Sequence, residues 1–474
     1  MDERRRKLIT LVLCCIGQFM VILDVSVVNV ALPSIKADLG FSGADLQWVV
    51  NAYTLTFAGF LLLGGRAADL LGRRSVFTFG LLLFAGASLV GGLAPSGGLL
   101  VGARALQGLG GAVVAPASLS IITSTFTEGG ERNKAVGAWG AMGGIGGASG
   151  SILGGVLTQG LSWRWILFIN VPIGLISALL TMRVVRAARP EGSWRRNLDV
   201  AGALSVTAGL LVLTYGIVRT DVYGWGSTRS IVTFAIAVAL LALWLFIEAR
   251  LAAAPLLPLR LFRSRQLSSA NVVVFTLGCS AFAMWYFVSL YLQQVLGYSP
   301  IKAGLAFLPM ALLIAVGSTF SGRLAGRIGA GPVLAVGMGM IAVGMLIFGR
   351  LPVDGTYLSD VLLPSFLVAI GIGLAFVPGT IAAMAGVEPQ EQGVASGVVN
   401  TSRQVGGSLG LAVLATVATE RTSNLVGHES THAALTSGFH HAFVLGGIFA
   451  AVGALTSVFG VPRVRRQQPV AAEA

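Results

Sequence analysis

The stretch Gly65-Arg66-Ala67-Ala68-Asp69-Leu70-Leu71-Gly72-Arg73-Arg74 joins two apolar runs, Leu46–Gly65 and Val76–Ala94. A run of about 17–25 apolar residues is long enough to cross the hydrocarbon core of a bilayer as a helix. The stretch therefore predicts a short polar loop between two transmembrane helices. A related loop, Gly322-Arg323-Leu324-Ala325-Gly326-Arg327-Ile328-Gly329, follows a later apolar run. Related loops in the two halves of a chain predict two structurally repeated helical bundles, as in many secondary transporters.

The rest of the chain has the same character. Of its 474 residues, 55% are hydrophobic and only 11% are charged, whereas a soluble domain carries about 25% charged residues. This composition excludes a soluble globular protein and predicts an all-α membrane protein. Fourteen apolar runs are long enough to span: Leu8–Leu32, Leu46–Gly65, Val76–Ala94, Leu99–Thr123, Ala135–Gly160, Arg164–Val184, Asp199–Val218, Ser230–Ala249, Ser268–Tyr291, Ala303–Gly322, Pro332–Gly349, Leu358–Met384, Val394–Thr419 and His440–Val461.

The distribution of basic residues predicts the orientation in the membrane. With the N-terminus inside, 23 of the 32 Lys and Arg residues fall in inner segments and seven in outer segments. Basic residues concentrate in cytoplasmic loops, so both termini are expected on the cytoplasmic side of the cell membrane. The same rule explains the net charge of +13, and nucleic-acid binding is not predicted.

The spacing of the two related loops predicts three segments. If the two loops occupy equivalent places, two extra spans must lie between the bundles. We therefore expect an N-terminal six-helix bundle at 1–184, an inter-bundle segment with two extra helices at 185–266, and a C-terminal six-helix bundle at 267–474.

Both loops carry a resemblance to a known family. The first matches the Gly-x-x-x-Asp-x-x-Gly-Arg-Arg signature of the major facilitator superfamily, and the second resembles an eroded copy with Gly326 in the acidic position. Glycine permits a tight turn between helix ends, and an acidic group can pair with arginines or with a helix N-terminus. The resemblance implies an inner gate formed by Gly65, Asp69, Gly72, Arg73 and Arg74; a loop that only sets topology is the simpler alternative.

The fifth span resembles the antiporter members of this superfamily. Its glycines follow the spacing Gly-x8-Gly-x3-Gly-Pro-x2-Gly-Gly at Gly137, Gly146, Gly150, Gly154 and Gly155, with Ser151 in the proline position. Glycines let helices approach closely, so these residues are expected to form a hinge, and the serine leaves any kink softer. Glycine-rich packing without a role in coupling is the alternative.

Three further stretches resemble the fourteen-helix drug:proton antiporter branch: Leu23–Pro33, Arg104–Gly108, and Trp163–Trp165 with Ile169–Gly174. Asn29 and Gln107 lie in the first two and are candidate site residues. The resemblance implies the major facilitator fold and efflux of drugs or antibiotics in exchange for protons.

Charges within the spans indicate where such a mechanism acts. Asp24 lies about 12 Å and Arg104 about 8 Å from the outer ends of their spans, at 1.5 Å per residue, so an ion pair between them is possible. A carboxylate inside hydrocarbon is costly and usually faces a cavity and a partner. Asp24 is therefore expected to couple transport to protons, with a static Asp24–Arg104 brace as the alternative. Arg403 either lines the cavity and binds substrate or braces its helix.

Other classes of protein lack the residues that they need. None of the four lysines follows a glycine, so the sequence has no phosphate-binding Gly-Lys-[Ser/Thr] loop. A pump driven by nucleotide hydrolysis is therefore not predicted. The spans offer too few reactive groups for a membrane enzyme, and the four histidines do not predict a metal site. We expect a monomeric exporter of small, largely hydrophobic drugs or antibiotics that needs no cofactor beyond the proton gradient; export of an endogenous metabolite or self-made antibiotic, and import, are alternatives.

Overall fold

The computed structural model describes residues 2–126, 129–186, 199–252, 255–257, 259–384 and 392–461. Long helices dominate these ranges: α1 Glu3–Leu39, α2 Trp48–Leu71, α3 Arg73–Gly92, α4 Gly97–Thr125, α5 Gly129–Gly160, α6 Asn170–Val184, α7 Val200–Tyr223, α8 Thr228–Phe246, α9 Arg265–Leu290, α10 Leu308–Ile328, α11 Ala330–Phe348, α12 Leu363–Met384, α13 Gln392–Leu425 and α14 Thr431–Gly460. The predicted all-α membrane fold is confirmed.

Twelve helical segments in the described ranges are long and apolar enough to cross a bilayer. The two long helices outside that set, α5 and α13, have 32 and 34 residues, so their length suffices but their apolar character does not. The count of fourteen spans therefore stays a prediction. Several helices extend past the apolar runs; α1, for example, includes the charged residues before Leu8 and continues through Pro33.

The helices form two groups. Helices α1–α6 pack mainly on one another, as do α9–α14. Within the first group α2 and α4 approach closely. A Cβ added to Gly108 would lie only 2.2 Å from the Tyr53 carbonyl oxygen, so a larger residue would not fit there. Small residues permit such close helix contact in membranes. The Thr56 hydroxyl also donates to the Ala105 carbonyl at 2.9 Å.

Helices α7 and α8 pair with each other, and α7 lies against both α2 and α13. Thr416 Oγ1 donates to the Ile217 carbonyl at 3.4 Å, and Arg219 pairs with Asp45 at 3.3 Å. α8 is mostly exposed, with only 17% of its most apolar window buried, as expected for a helix that faces lipid. The predicted segment 185–266 contains this pair, although residues 187–198, 253, 254 and 258 lie outside the described residues.

The two inner loops have the same backbone turn. Gly72 lies between α2 and α3 with φ of 95°, and Gly329 lies between α10 and α11 with φ of 93°. A positive φ is costly for residues with a Cβ, which explains why both loops carry glycine at this point. The equivalence of the two loops that the sequence predicted is thus visible in their backbone.

Candidate functional site

A cavity of about 1830 Å³ lies between the two groups of helices. Its lining includes Arg66 and Arg73 near the inner ends of α2 and α3, and Thr380 and Gly397 at the same end of the second group. Here "inner" means the end of the molecule where α1 begins and α14 ends. The cavity reaches that end, and we call this conformation, in which the cavity is open at the inner end of the molecule, inward-open.

Contacts between the two groups close the opposite, outer end. The Ser289 hydroxyl donates to the Asn29 carbonyl at 2.8 Å, and Gln293 Nε2 donates to the Val30 carbonyl at 3.0 Å. A Cβ on Gly155 would lie 2.6 Å from the Pro300 carbonyl oxygen, and one on Gly304 would lie 2.2 Å from the Ser151 carbonyl oxygen. We call these contacts the outer seam.

A buried ion pair lies beside the cavity. Arg104 Nη1 on α4 binds Asp24 Oδ2 on α1, as their depths suggested. Gln107 Nε2 donates to Asp24 Oδ1 at 3.1 Å, and Asn170 Nδ2 donates to the same oxygen at 3.0 Å. Side chains three residues apart on a helix share one face, so Arg104 and Gln107 both reach Asp24.

The environment of Arg104 completes this network. Its Nε donates to the Val49 carbonyl at 2.9 Å and its Nη1 to Gln107 Oε1 at 3.0 Å, while Gln107 Nε2 also binds the Ser88 hydroxyl at 2.7 Å. Asp24 is 0% and Arg104 1% exposed. A charge pair this buried is tolerable only when hydrogen bonds satisfy its remaining polar atoms. The Gln107 and Asn170 amides and the Val49 carbonyl supply four such bonds.

Asp24 is not among the described residues that line the cavity in this structure, and its role in proton coupling stays a prediction. Asp24 instead binds Arg104 on α4. The α1 residues that line the cavity are Gln18, Val21, Ile22, Val25, Ser26 and Asn29. Tyr53 on α2 forms the intervening wall: it lines the cavity, and the Arg104 Cζ lies 4.5 Å from its ring centroid. The ring stacks on Phe57 and packs edge-on against Phe84, which holds it in place.

Two other predicted residues do line the cavity. Asn29 Nδ2 donates to the Val25 carbonyl at 3.1 Å, on the face of α1 that borders the cavity. Arg403 on α13 also lines the cavity; its Nη2 donates to Asn400 Oδ1 at 2.7 Å, and its Cζ lies 4.4 Å from the Phe376 ring centroid. The structure thus separates the five candidates: three form the buried network and two face the chamber.

The predicted inner gate lies at the inner end of the cavity. Gly65 and Arg73 line the cavity there. Arg74 Nη1 lies 3.4 Å from the Met182 carbonyl oxygen and 3.5 Å from that of Val185. A cation is favourable where the carbonyls of a helix C-terminus are exposed. Arg74 therefore stabilises the contact between the start of α3 and the end of α6. The side chain of Asp69 lies outside the described residues.

The glycines of α5 divide into two sets. A Cβ on Gly146, Gly150 or Gly154 would lie within 2.6–3.0 Å of α1 atoms, among them Ser26 Cβ and the Val27 carbonyl oxygen. Gly155 faces Pro300 across the outer seam. Gly137 has no neighbour within 4 Å of its hypothetical Cβ. Four of the five glycines are thus at close contacts in the inward-open conformation, and Gly137 is not.

Ser151, in the proline position of this pattern, is buried between α5 and α1. Its Oγ lies 3.4 Å from both the Ser26 Oγ and the Gly147 carbonyl oxygen, which are long for hydrogen bonds. The Ser26 hydroxyl makes the shorter bond, 2.7 Å, to the same Gly147 carbonyl. The α1–α5 contact therefore depends on Ser26 more than on Ser151.

Sequence reasoning missed Tyr53, Ser88 and Asn170 as site residues. Ser88 and Asn170 are neutral polar residues on α3 and α6, and nothing in their local sequence points to Asp24. Asn170 does follow the Trp163-Arg164-Trp165 stretch that carries part of the resemblance. A polar residue opening an otherwise apolar span was the available signal, since it needs a partner once buried.

Comparisons with known proteins place this architecture among transporters. The model of the Major Facilitator Superfamily matches residues 14–411. The cephamycin export protein CmcT of Amycolatopsis lactamdurans is 43% identical over 461 residues, covering 97% of this chain and 93% of the relative. The puromycin resistance protein pur8 of Streptomyces alboniger is 42% identical, covering 94% and 88%.

A structural comparison agrees on the fold. The inward-facing, unoccupied crystal structure of a bacterial homolog of the human lysosomal transporter Spinster aligns with a TM-score of 0.70, covering 96% of this chain and 97% of that one. Their sequence identity is 17%, so this likeness supports the fold alone.

Proposed function

Because this chain belongs to the major facilitator superfamily, and is therefore a multi-pass membrane transporter, we propose that it exports small, largely hydrophobic drugs or antibiotics by proton antiport. Relatives named for cephamycin export and puromycin resistance support the export of antibiotics. The large chamber, open at one end and lined mainly by apolar side chains, suits a hydrophobic molecule. Its inner opening suits loading from the cytoplasm.

The buried Asp24–Arg104 pair is the observation that carries the proton half of the proposal. In the inward-open conformation Asp24 is paired, which suits its ionised form after a proton has been released. Protonation would remove the charge that binds Arg104 and free that guanidinium to find other partners. We place this protonation in the outward-open conformation, where separation of the outer seam would bring water towards α1.

Tyr53 connects the two halves of the mechanism. One part of its ring borders the chamber and another lies over Arg104. A molecule that fills the chamber would contact this ring and hinder the movement that Arg104 needs. We propose that substrate and proton exclude each other through Tyr53, which is the requirement for exchange rather than cotransport.

The orientation and assembly belong to the same proposal. The basic residues favour both termini in the cytoplasm, so the chamber would open to the cytoplasm in this structure. We propose that one chain acts alone, since the chamber is enclosed by helices of a single chain. The transporter would draw its energy from the proton gradient and need no cofactor.

A narrower function is a second candidate. Relatives include the cephamycin export protein and the tetracenomycin C resistance and export protein of Streptomyces glaucescens, each named for one antibiotic. These names favour a transporter dedicated to one compound, such as an antibiotic made by the same cell. Transport of a single drug from a chemically diverse set would support this candidate over multidrug efflux.

The test is drug-driven proton movement in proteoliposomes with an imposed pH gradient. Wild type should accumulate drug in the acidic compartment, and addition of drug should release or take up protons. Asp24→Asn should abolish the dependence of drug movement on the gradient. Asp45→Asn is the matched control, because Asp45 pairs with Arg219 at the outer end, away from the chamber. Normal proton-coupled transport by Asp24→Asn would refute the coupling role.

A further inference from the structure

Among the described residues, the charged side chains that line the chamber are all basic. The described residues that line it include four arginines, Arg66, Arg73, Arg260 and Arg403, and no Asp, Glu or His. Asp24, the closest carboxylate to the chamber on α1, is 0% exposed and already paired with Arg104. It therefore offers no charge to a bound molecule.

Arg403 lies deeper than Arg66 and Arg73: it is eleven residues past the start of α13 at Gln392, whereas Arg66 is five residues before the end of α2 and Arg73 is the first residue of α3. Its hydrogen-bond partner is the neutral amide of Asn400 at 2.7 Å, and its other contact is the Phe376 ring. Among the ion pairs of the described residues, none includes Arg403. The side chain is half-buried at the chamber wall, so part of its guanidinium faces the chamber.

A guanidinium in this position is costly unless an anion joins it. Intramembrane charges normally pair with an opposite charge or with backbone carbonyls. Five N–H donors in a rigid plane suit carboxylate and phosphate oxygens, which can accept two parallel hydrogen bonds. The Phe376 ring, whose centroid lies 4.4 Å from the Arg403 Cζ, limits the movement of the guanidinium, and the hydrogen bond from Nη2 to Asn400 leaves further N–H donors for such an acceptor.

We infer that the exported molecules are amphipathic organic anions, whose carboxylate, sulfonate or phosphate oxygens bind Arg403. This inference rests on the proposed export function and narrows its substrate class. The apolar or aromatic part of the substrate packs against Phe282, Trp285 and Phe376, which share the chamber wall with Arg403.

Organic cations fit the chamber poorly for the same reason. A cation near Arg403 meets a like charge in a partly dry space, where repulsion is stronger than in water. The described lining provides no carboxylate to offset it. Neutral drugs are not repelled by Arg403, but they form no ion pair with it either.

Two dyes with a shared xanthene skeleton test the inference: fluorescein, an anion, and rhodamine 123, a cation. Purified wild type should bind and transport fluorescein in preference to rhodamine 123. Arg403→Gln should weaken fluorescein binding roughly 10- to 100-fold, the loss of a charge-assisted hydrogen bond, and should strengthen rhodamine 123 binding, because it removes a like charge. Arg403→Glu should reverse the preference, and Arg403→Lys should keep part of it.

The control is Arg421→Gln, which removes an arginine from the same helix outside the chamber, where its Nε bonds to the Ser437 hydroxyl. Its dye preference should match wild type. Preference of wild type for rhodamine 123, no binding of fluorescein, or equal weakening of both dyes by Arg403→Gln would overturn the inference. If Arg403→Gln does not fold, the preference of wild type and of Arg403→Lys decides.

The two proposals fail in different ways. Gradient-driven export of rhodamine 123 but not of fluorescein would leave the exporter standing and refute the anion preference. Fluorescein binding that depends on Arg403, without movement of either dye under any gradient, would support the preference and refute export.

Discussion

Replacing the two members of the Asp24–Arg104 pair, singly and together, separates a coupling role from a bracing role. Asp24→Asn leaves a buried guanidinium without its anion, and breaking a buried pair on one side costs about 3–5 kcal/mol. Arg104 keeps the Val49 carbonyl at 2.9 Å and Gln107 Oε1 at 3.0 Å. We therefore expect the lower end, about 3 kcal/mol.

The double variant Asp24→Asn/Arg104→Gln should recover most of that loss, because it leaves no unpaired charge and two amides can bond to each other. Recovery of about 2 kcal/mol or more relative to the sum of the single variants would give a clear interaction energy. Unfolding in detergent, followed by tryptophan fluorescence against denaturant, measures all four proteins under one condition.

Transport by the same four proteins then decides between the two roles. If Asp24 binds the coupled proton, the double variant folds like wild type but its drug export no longer responds to a pH gradient. If the pair is only a brace, restored folding restores proton-driven export. A stable double variant with the pH-driven export rate of wild type would refute the coupling mechanism.

Three further predictions follow from the contacts around the chamber. Tyr53→Leu should let protons leak without drug, whereas Tyr53→Phe should couple normally because the Tyr53 hydroxyl makes only a 3.4 Å bond; drug-free proton flux distinguishes them. Gly304→Ala should hold the outer seam apart, since its Cβ would lie 2.2 Å from the Ser151 carbonyl oxygen, and should increase labelling of a cysteine placed at the outer end. The control Gly137→Ala, with open space around the new methyl group, should not; equal labelling in both would contradict the packing argument. Ser151→Ala should cost less than about 1 kcal/mol of unfolding free energy, because its hydrogen bonds are long, and a larger loss in denaturant unfolding would contradict this.

The sequence predicted how deep a residue lies along its helix better than it predicted the direction in which the side chain points. A constant rise of 1.5 Å per residue converts position into depth, so the meeting of Asp24 and Arg104 could be anticipated. Which side of α1 faces the chamber depends on how the helix is rotated within its bundle. Ile22 and Asp24 are two residues apart, yet the first lines the chamber and the second does not. Apolar composition on all sides of a span leaves this rotation undetermined.

Contacts between distant segments were likewise beyond the sequence. Arg403 lies within one of the fourteen runs that the sequence predicts as spans, but its partner ring Phe376 is on another helix. Asn170 is 146 residues from Asp24 along the chain. The glycines of α5 were recognisable by their spacing. Which of them contact α1 and which contacts Pro300 could be seen only in the packed structure.

The outer seam described above joins neutral groups only: glycine against backbone carbonyls, and serine and glutamine against backbone carbonyls. Ionic strength and transmembrane voltage act on charges, so neither directly changes the strength of these contacts. The closure of the outer end then depends on close packing, which the addition of a single methyl group at Gly155 or Gly304 would disturb. If acidity or voltage changes the conformation of the transporter, it must act on charged groups elsewhere in the protein. The movement of α1 and α5 would then separate the outer seam.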